Sequence, residues 1–374
     1  MKTSWLTIVN GRRLCVPYQK LATGYLDSLK RTYRPYSDPL VTQFPAVARA
    51  GKDAEPAGGN TCAAVLAGLS RQSTARIVYS KAMVIGESTD ELIRSKHEAR
   101  LDAFYAHPSV SIVPDIRLYH WYHTVDLGGG IVTPGQYDYR DSIGAFPFPQ
   151  DMRGLTMLEI GSATGFFSFE AERRGATVTS VELPSFHVLD RFPGQSQTRL
   201  LRRLAQMRTP HADLESDPLV AMTSAQTYFY HLDGPFQFCY RMVHSKVNRV
   251  YSTIYDLKTS AIAGKSFDYV LLGDVLLHLF NPVDALATAA SFSRDKLIVS
   301  QQMPEVESDQ PMLHYVGGES LDEDDLCWFL PNLPFFKQFC RKLGFATVDE
   351  VGRNQGCLYP SGYRFDRSII LAGR

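Results

Sequence analysis

The sequence predicts an α/β fold: a seven-stranded, mostly parallel sheet with its last strand antiparallel and helices on its faces. Three observations carry that expectation. Residues 156–183 (TMLEIGSATGFFSFEAERRGATVTSVEL) run strand, small-residue turn, amphipathic helix, strand and acid, the order of a βαβ nucleoside-binding unit. Further β-branched and apolar runs follow at 249–255, 267–273 and 296–302. Two more, 347–351 and 368–372, close the chain as a hairpin-like pair, which sets the final strand against the others.

Taken in order, the first hundred residues carry little chemistry. Trp5–Val9, the turn Asn10-Gly11 and Arg12–Val16 read as a hairpin. Residues 34–60 are rich in Pro, Gly and Ala and read as a surface loop. Helices are expected at 62–69 and 89–105, the second capped by Ser88 or Thr89 ahead of Asp90-Glu91. On this reading residues 1–118 form an accessory region, a cover or a dimerisation element, and 119–374 form the main domain. A homodimer stays open.

The stretch 119–140 sets Tyr119-His120-Trp121-Tyr122-His123 before three glycines and the turn Pro134-Gly135. Standing just upstream of the nucleoside-binding unit, it reads either as an active-site wall or as aromatics packing a join between two domains. The H-x-x-H spacing of His120 and His123 lacks a helix and a completing carboxylate, so no metal site is expected.

Within the central unit, Gly161 and Gly165 allow a ligand to approach backbone closely and accept dihedrals that a Cβ resists. Glu182 lies 21 positions after Gly161, at the carboxyl end of the second strand, where a carboxylate can accept hydrogen bonds from both hydroxyls of a ribose. The dinucleotide pattern G-x-G-x-x-G fits badly, because its second and third glycines are Ala163 and Phe166. A nicotinamide dehydrogenase is therefore disfavoured. A nucleoside without a pyrophosphate has less need of those glycines, and S-adenosylmethionine is such a ligand.

Residues 184–246 form an insertion of some sixty residues before the next strand. It holds a basic helix (Arg199, Arg202, Arg203, Arg208), a polar linker and an aromatic-rich part from Tyr228 to Tyr240, and reads as a substrate lid overhanging the crevice. Helices are then expected at 282–292 and at 333–343, the latter with Asn332 as cap, Pro334 in its first turn and Gly344 as stop. The acidic run 322–325 reads as a solvated helix start.

The totals narrow the classes. Basic and acidic residues balance at 39 each, which lowers the case for a partner gripped by phosphate neutralisation. Six scattered cysteines without C-x-x-C pairs read as free thiols in a reducing cytosol, so a cytoplasmic protein is expected. No apolar run approaches a membrane span, and the patch Trp5–Val9 is broken by Asn10-Gly11-Arg12-Arg13, unlike a signal peptide.

With these stretches in view, the chain resembles the class I S-adenosylmethionine-dependent methyltransferases, a Rossmann-like family. More narrowly it is similar to the tRNA wobble-uridine (5-oxyacetic acid) methyltransferase group and its uncharacterised relatives. WYHTVDLGGGIVTPGQYDYR (121–140), LEIGSATGFFSFEAERRGA (158–176), VELPSFHVLD (181–190), VYSTIYDL (250–257), FDYVLLGDVLLHLFNPVDAL (267–286) and WFLPN (328–332) carry the likeness, which spans about 120–374. It implies a cofactor cradle of Glu159, Gly161, Ser162, Ala163 and Gly165, with Glu182 on the ribose. It also implies Tyr255 and Asp256 flanking the adenine and Gly273 meeting the methionine moiety. The wobble-uridine enzymes hold a carboxylated cofactor with a tyrosine just before the histidine of the fourth-strand motif. Here that position is Leu277, which offers no hydrogen bond to a buried carboxylate. The ordinary cofactor and plain methyl transfer are therefore expected.

Methyl transfer from a sulfonium is an in-line displacement, in which positioning can supply about 7–11 kcal/mol. A hydroxyl, protonated amine or acidic carbon acceptor also needs a base. His278 comes first, because it follows the strand facing the sulfonium, with His123 and Tyr122 next. The other reading of His278 is a helix-start residue bonded to backbone, and both are carried forward. The expected acceptor is a small, largely apolar molecule of the secondary-metabolite kind, O-, N- or C-methylated. The second reading is tRNA methylation, and a third is an idle cofactor-binding scaffold.

Overall fold

A computed structural model describes residues 5–9, 12–16, 87–206, 222–321 and 326–374. The chain divides into two compact units, 1–72 and 73–374. In the first, Trp5–Val9 and Arg12–Val16 pair antiparallel as the expected hairpin. The loop expected at 34–60, the helix at 62–69 and the acidic run 322–325 lie outside the described residues.

In the second unit, β1 (Thr156–Ile160), β2 (Thr177–Glu182), β3 (Asn248–Tyr251), β4 (Phe267–Gly273), β5 (Ser293–Gln301), β6 (Thr347–Cys357) and β7 (Arg364–Gly373) form one sheet. Their spatial order is β3-β2-β1-β4-β5-β7-β6. Pairs among β1 to β5 are parallel, and β7 runs antiparallel to both β5 and β6. This is the seven-stranded, mostly parallel sheet with an antiparallel last strand that the sequence predicts. Strand order reverses between β1 and β4, so the carboxyl ends of those two strands flank the crevice where ligands of open α/β sheets bind.

Both faces of the sheet are covered, because its strands carry apolar residues at alternate and intervening positions alike. Met157 and Leu271 face one layer, with Phe167 and Phe169 of α2 (Phe166–Arg173) and Phe236 of α5 (Gly234–Met242). Leu158 and Leu272 face the other, with Leu286 of α6 (Pro282–Phe292) and Phe336 of α7 (Leu333–Lys342). Asn332 caps α7 by accepting from the Phe335 N–H at 3.0 Å, as its sequence signature indicates.

Three expectations are corrected. The boundary at 118 does not stand, because α1 (Glu87–Ala106) belongs to the core of the second unit. Its Phe104 is buried, with ring centres 5.0 Å from Trp121 and 6.0 Å from Phe238, and its Arg100 pairs with Asp138 at 2.9 Å. Burial of such a ring contributes about 1.5–3 kcal/mol. Ser88 and Thr89 lie inside α1 rather than ahead of it. The segment 184–246 is also not one overhang. Its last part, α5, is the crossover helix that a parallel β2-to-β3 connection requires, with Phe236 and Cys239 fully buried. The first part, with α3 (Gln197–Gln206), leaves the sheet's carboxyl edge, and α4 (Ser224–Tyr228) leads through a π-helical turn into α5.

Candidate active site

The turn after β1 is built by backbone that few residues tolerate. Gly161, Ala163 and Gly165 have φ of 76°, 46° and 90°, and a Cβ on Gly165 would stand 2.6 Å from the Phe169 ring. Glu182, buried at the end of β2, braces this turn. Its Oε2 accepts from the Ala163 N–H at 2.7 Å and its Oε1 from the Leu183 N–H at 2.9 Å. Each carboxylate oxygen keeps a further lone pair.

A polar knot lies beneath the turn. Ser180 donates to the Ser162 hydroxyl at 2.7 Å, and Arg249 of β3 donates to Ser162 at 2.8 Å. The Arg249 guanidinium lies 3.7 Å over the Phe236 ring, which ties α5 to the turn. Glu159 points from β1 toward α2, where its carboxyl accepts from the Ser168 hydroxyl. Burial pushes its pKa up to about 8, against the pull of Ser168 and of Arg249.

Beyond β3, the half-buried Tyr255 donates its hydroxyl to Asp190 at 2.6 Å, and Asp190 also accepts from the Phe280 N–H at 2.6 Å. The Phe192 ring packs 4.9 Å from that of Phe280 at a tilt and edge-to-face with Trp328 at 5.2 Å. The start of the 184–206 segment is thereby fastened across the ends of β3 and β4. Asp256 is exposed and accepts from Thr253 at 2.7 Å. Gly273 ends β4, where a Cβ would meet only the Phe167 ring, at 3.9 Å.

A second cluster gathers at the end of β4. Asp274 follows Gly273 with φ 49° and accepts from Arg367 Nε of β7 at 2.6 Å, while its Oδ1 is buried without a hydrogen-bond partner. Tyr122 and Tyr137 stand beside this pair with ring centres 4.7 Å apart, and Tyr139 stacks 5.4 Å from Phe167. Burial raises the pKa of all three hydroxyls, the neighbouring Asp274 adding to it. Gln301, at the end of β5, is fully buried with neither amide atom partnered, as is Ser368 Oγ directly across in β7.

His278 is half-buried, and its Nδ1 contacts the Leu326 carbonyl at 2.5 Å. A carbonyl only accepts, so Nδ1 carries the proton and Nε2 the lone pair. Burial lowers its pKa, so the ring is neutral near pH 7. His123 is committed elsewhere: its Nδ1 accepts from the Phe166 N–H at 3.5 Å, at the start of α2, and burial lowers its pKa to about 3. His120 faces His231 at 5.2 Å, so the two histidines of the H-x-x-H pair diverge. Among the described residues no three His, Cys, Asp or Glu side chains are placed to hold a metal ion. Nor, among those described residues, is any helix long and apolar enough to cross a membrane.

The fold thus gathers Gly161, Ser162, Ala163, Gly165 and Glu182 on one side of the crevice, and Gly273, His278 and Tyr122 on the other. Glu159 lies below the turn, and Tyr255 and Asp256 beyond β3. Sequence reasoning missed Arg249, Asp274, Gln301 and Arg367. The one available signal was Asp274, which directly follows a strand run ending at the crevice.

No family model and no curated protein matches the chain. Among solved structures, it aligns with a magnesium protoporphyrin IX methyltransferase from Synechocystis PCC 6803 with bound S-adenosylmethionine. That alignment has 14% identity over 77% of this chain and 95% of the other, with a TM-score of 0.38. The N-terminal domain of EvdMO1 with bound S-adenosylhomocysteine aligns at 14% identity over 69% and 92%, with a TM-score of 0.40. A 1,6-didemethyltoxoflavin-N1-methyltransferase from Burkholderia thailandensis aligns at 15% identity over 59% and 72%, with a TM-score of 0.32. Similarity at this level leaves the ligand and the substrate of this chain to its own residues.

Proposed function

We propose that the chain is an S-adenosylmethionine-dependent methyltransferase acting on a small, largely apolar molecule. The observation that supports this best is Glu182: a buried carboxylate at the switch-point edge, braced by two backbone N–H groups beside a left-handed glycine turn. It is oriented before any ligand arrives and keeps lone pairs for two ribose hydroxyls. Gly161, Ser162, Ala163 and Gly165 form the cradle, with Glu159 fixing α2 below it. Tyr255 and Asp256 flank the adenine, and Gly273 lies against the methionine moiety. Leu277, buried and without a polar atom, favours the ordinary cofactor over a carboxylated one.

When bound, S-adenosylmethionine supplies an electrophilic methyl group. The protein's part is to place the acceptor in line with it, exclude water and take a proton where the acceptor carries one. Residues 184–206, fastened through Asp190 and Phe192, cover the crevice. Of the sequence candidates for the proton, His278 has a free Nε2 at the right edge. Tyr122 stays protonated, and His123 is committed to the start of α2.

Calorimetry with S-adenosylhomocysteine tests the reading. The wild type is expected to bind, and Glu182→Ala to lose at least about 100-fold in affinity, since charge-assisted hydrogen bonds contribute about 1.5–3 kcal/mol each. A wild type that does not bind, or a variant that binds equally well, removes the proposal.

A further inference from the structure

We infer that Asp274, held by Arg367, grips the methyl acceptor through an O–H or N–H and takes its proton, so that the acceptor is a phenol, alcohol or amine. The inference rests on the methyl-transfer reading and names the acceptor chemistry of the same site.

Position comes first. Asp274 directly follows β4, across the strand-order reversal from the glycine turn, where an acceptor must stand to face a methyl group. Geometry comes second. Arg367 occupies Oδ2 at 2.6 Å, and Oδ1 is buried with no partner from the chain. Leaving a buried carboxylate oxygen unmatched is costly, and a donor on a ligand removes that cost. A carboxylate oxygen only accepts, so the partner Oδ1 lacks must be a donor.

The surroundings agree. Tyr122, Tyr137 and Tyr139 stand around the pair as protonated phenols, which offer donors and ring faces and no competing base. His278 has committed Nδ1 to Leu326, and burial makes its remaining nitrogen harder to protonate. In the step itself, the acceptor's O or N lone pair forms the bond to the methyl carbon, and the C–S bond breaks with its pair going to sulfur. The acceptor's proton passes to Asp274 Oδ1 and reaches solvent on release.

Asp274→Asn tests this on the full chain, because Asn keeps the shape and tolerates a positive φ. The assay offers radiolabelled S-adenosylmethionine and an equimolar mixture of small phenols, alkyl alcohols, arylamines and 1,3-diketones, with products identified by mass spectrometry. Label is expected on oxygen or nitrogen. Asp274→Asn is expected to lower kcat at least about 100-fold while binding S-adenosylhomocysteine within about twofold of the wild type. Label on diketone carbon, label on nothing, or undiminished turnover by Asp274→Asn overturns the inference. So does weaker S-adenosylhomocysteine binding by a folded Asp274→Asn, which would give the carboxylate to the cofactor's ammonium group. A wild type that binds no S-adenosylhomocysteine fails the underlying reading instead. If Asp274→Asn loses its cooperative melt, Tyr137→Phe carries the test: KM for the labelled acceptor rises several-fold with cofactor binding kept, and an unchanged KM overturns the inference.

Discussion

The two edges of the crevice are finished differently. At the ends of β1 and β2, Glu182 is matched by the N–H groups of Ala163 and Leu183, and Ser162 by Ser180 and Arg249. The exception there is Arg249 Nε. At the ends of β4 and β5, and across from them on β7, Asp274 Oδ1, both amide atoms of Gln301 and Ser368 Oγ are buried without partners. The first edge has its shape whether or not a ligand is present, and changes to it are paid in stability. The second holds polar atoms whose matching must come from elsewhere, so changes there fall on turnover and can even raise stability.

The largest stability effect is expected from Gly165→Ala. A left-handed backbone costs an alanine about 1–2 kcal/mol, and overpacking adds about 1–3. The added Cβ stands 2.6 Å from Phe169 and 2.8 Å from Phe236, both ring atoms held in the core. A loss of roughly 2–5 kcal/mol in urea unfolding follows. A loss below about 0.5 kcal/mol would mean that this edge adjusts freely, and the contrast between the edges would fall.

Glu159 sharpens the comparison through pH. Its folded pKa of about 8 lies above its ordinary 4.5, so folding favours the protonated form. That contribution is fully present below pH 4.5, is lost as pH rises to about 8, and stays lost beyond it. Glu159→Gln keeps a partner for Ser168 and removes the slope. Relative to the wild type it should gain a few kcal/mol across that window, read from urea unfolding at several pH values. Parallel stability curves for the two proteins would show that Glu159 ionises freely.

How much was legible follows the same division. The first edge lies within one contiguous stretch, 156–183, where glycine turn, helix and terminal acid announce one another. Arg249 escaped because a strand residue beneath a turn looks like any other strand residue. The second edge is assembled from Asp274, Gln301 and Arg367, which the sheet order brings together, and from Tyr122 and Tyr137 of the segment ahead of the sheet. Helix α5 passed for part of a lid because the π-helical turn Phe229–Asp233 and Pro235 interrupt its pattern. Strand β6 reaches Cys357 rather than 351, since its outer half is polar and is held by pairs such as Arg353 with Asp366 at 2.8 Å. Apolar alternation cannot reveal a strand of that kind.

The smallest expected effect separates the edges most cleanly. Gln301 is fully buried, with neither its amide N–H nor its carbonyl oxygen matched. A buried unmatched polar group costs about 1–3 kcal/mol, whereas an apolar side chain of similar length carries no such cost. Gln301→Met should therefore unfold at higher urea, by about 1 kcal/mol, with S-adenosylhomocysteine binding unchanged and methyl transfer reduced. The two signs must occur together. If the variant is less stable, Gln301 is a structural group matched by water, and the acceptor edge resembles the cofactor edge after all. If it is more stable and turns over as before, the amide lies outside the acceptor's reach, and recognition narrows to Asp274, Arg367 and the tyrosines around them.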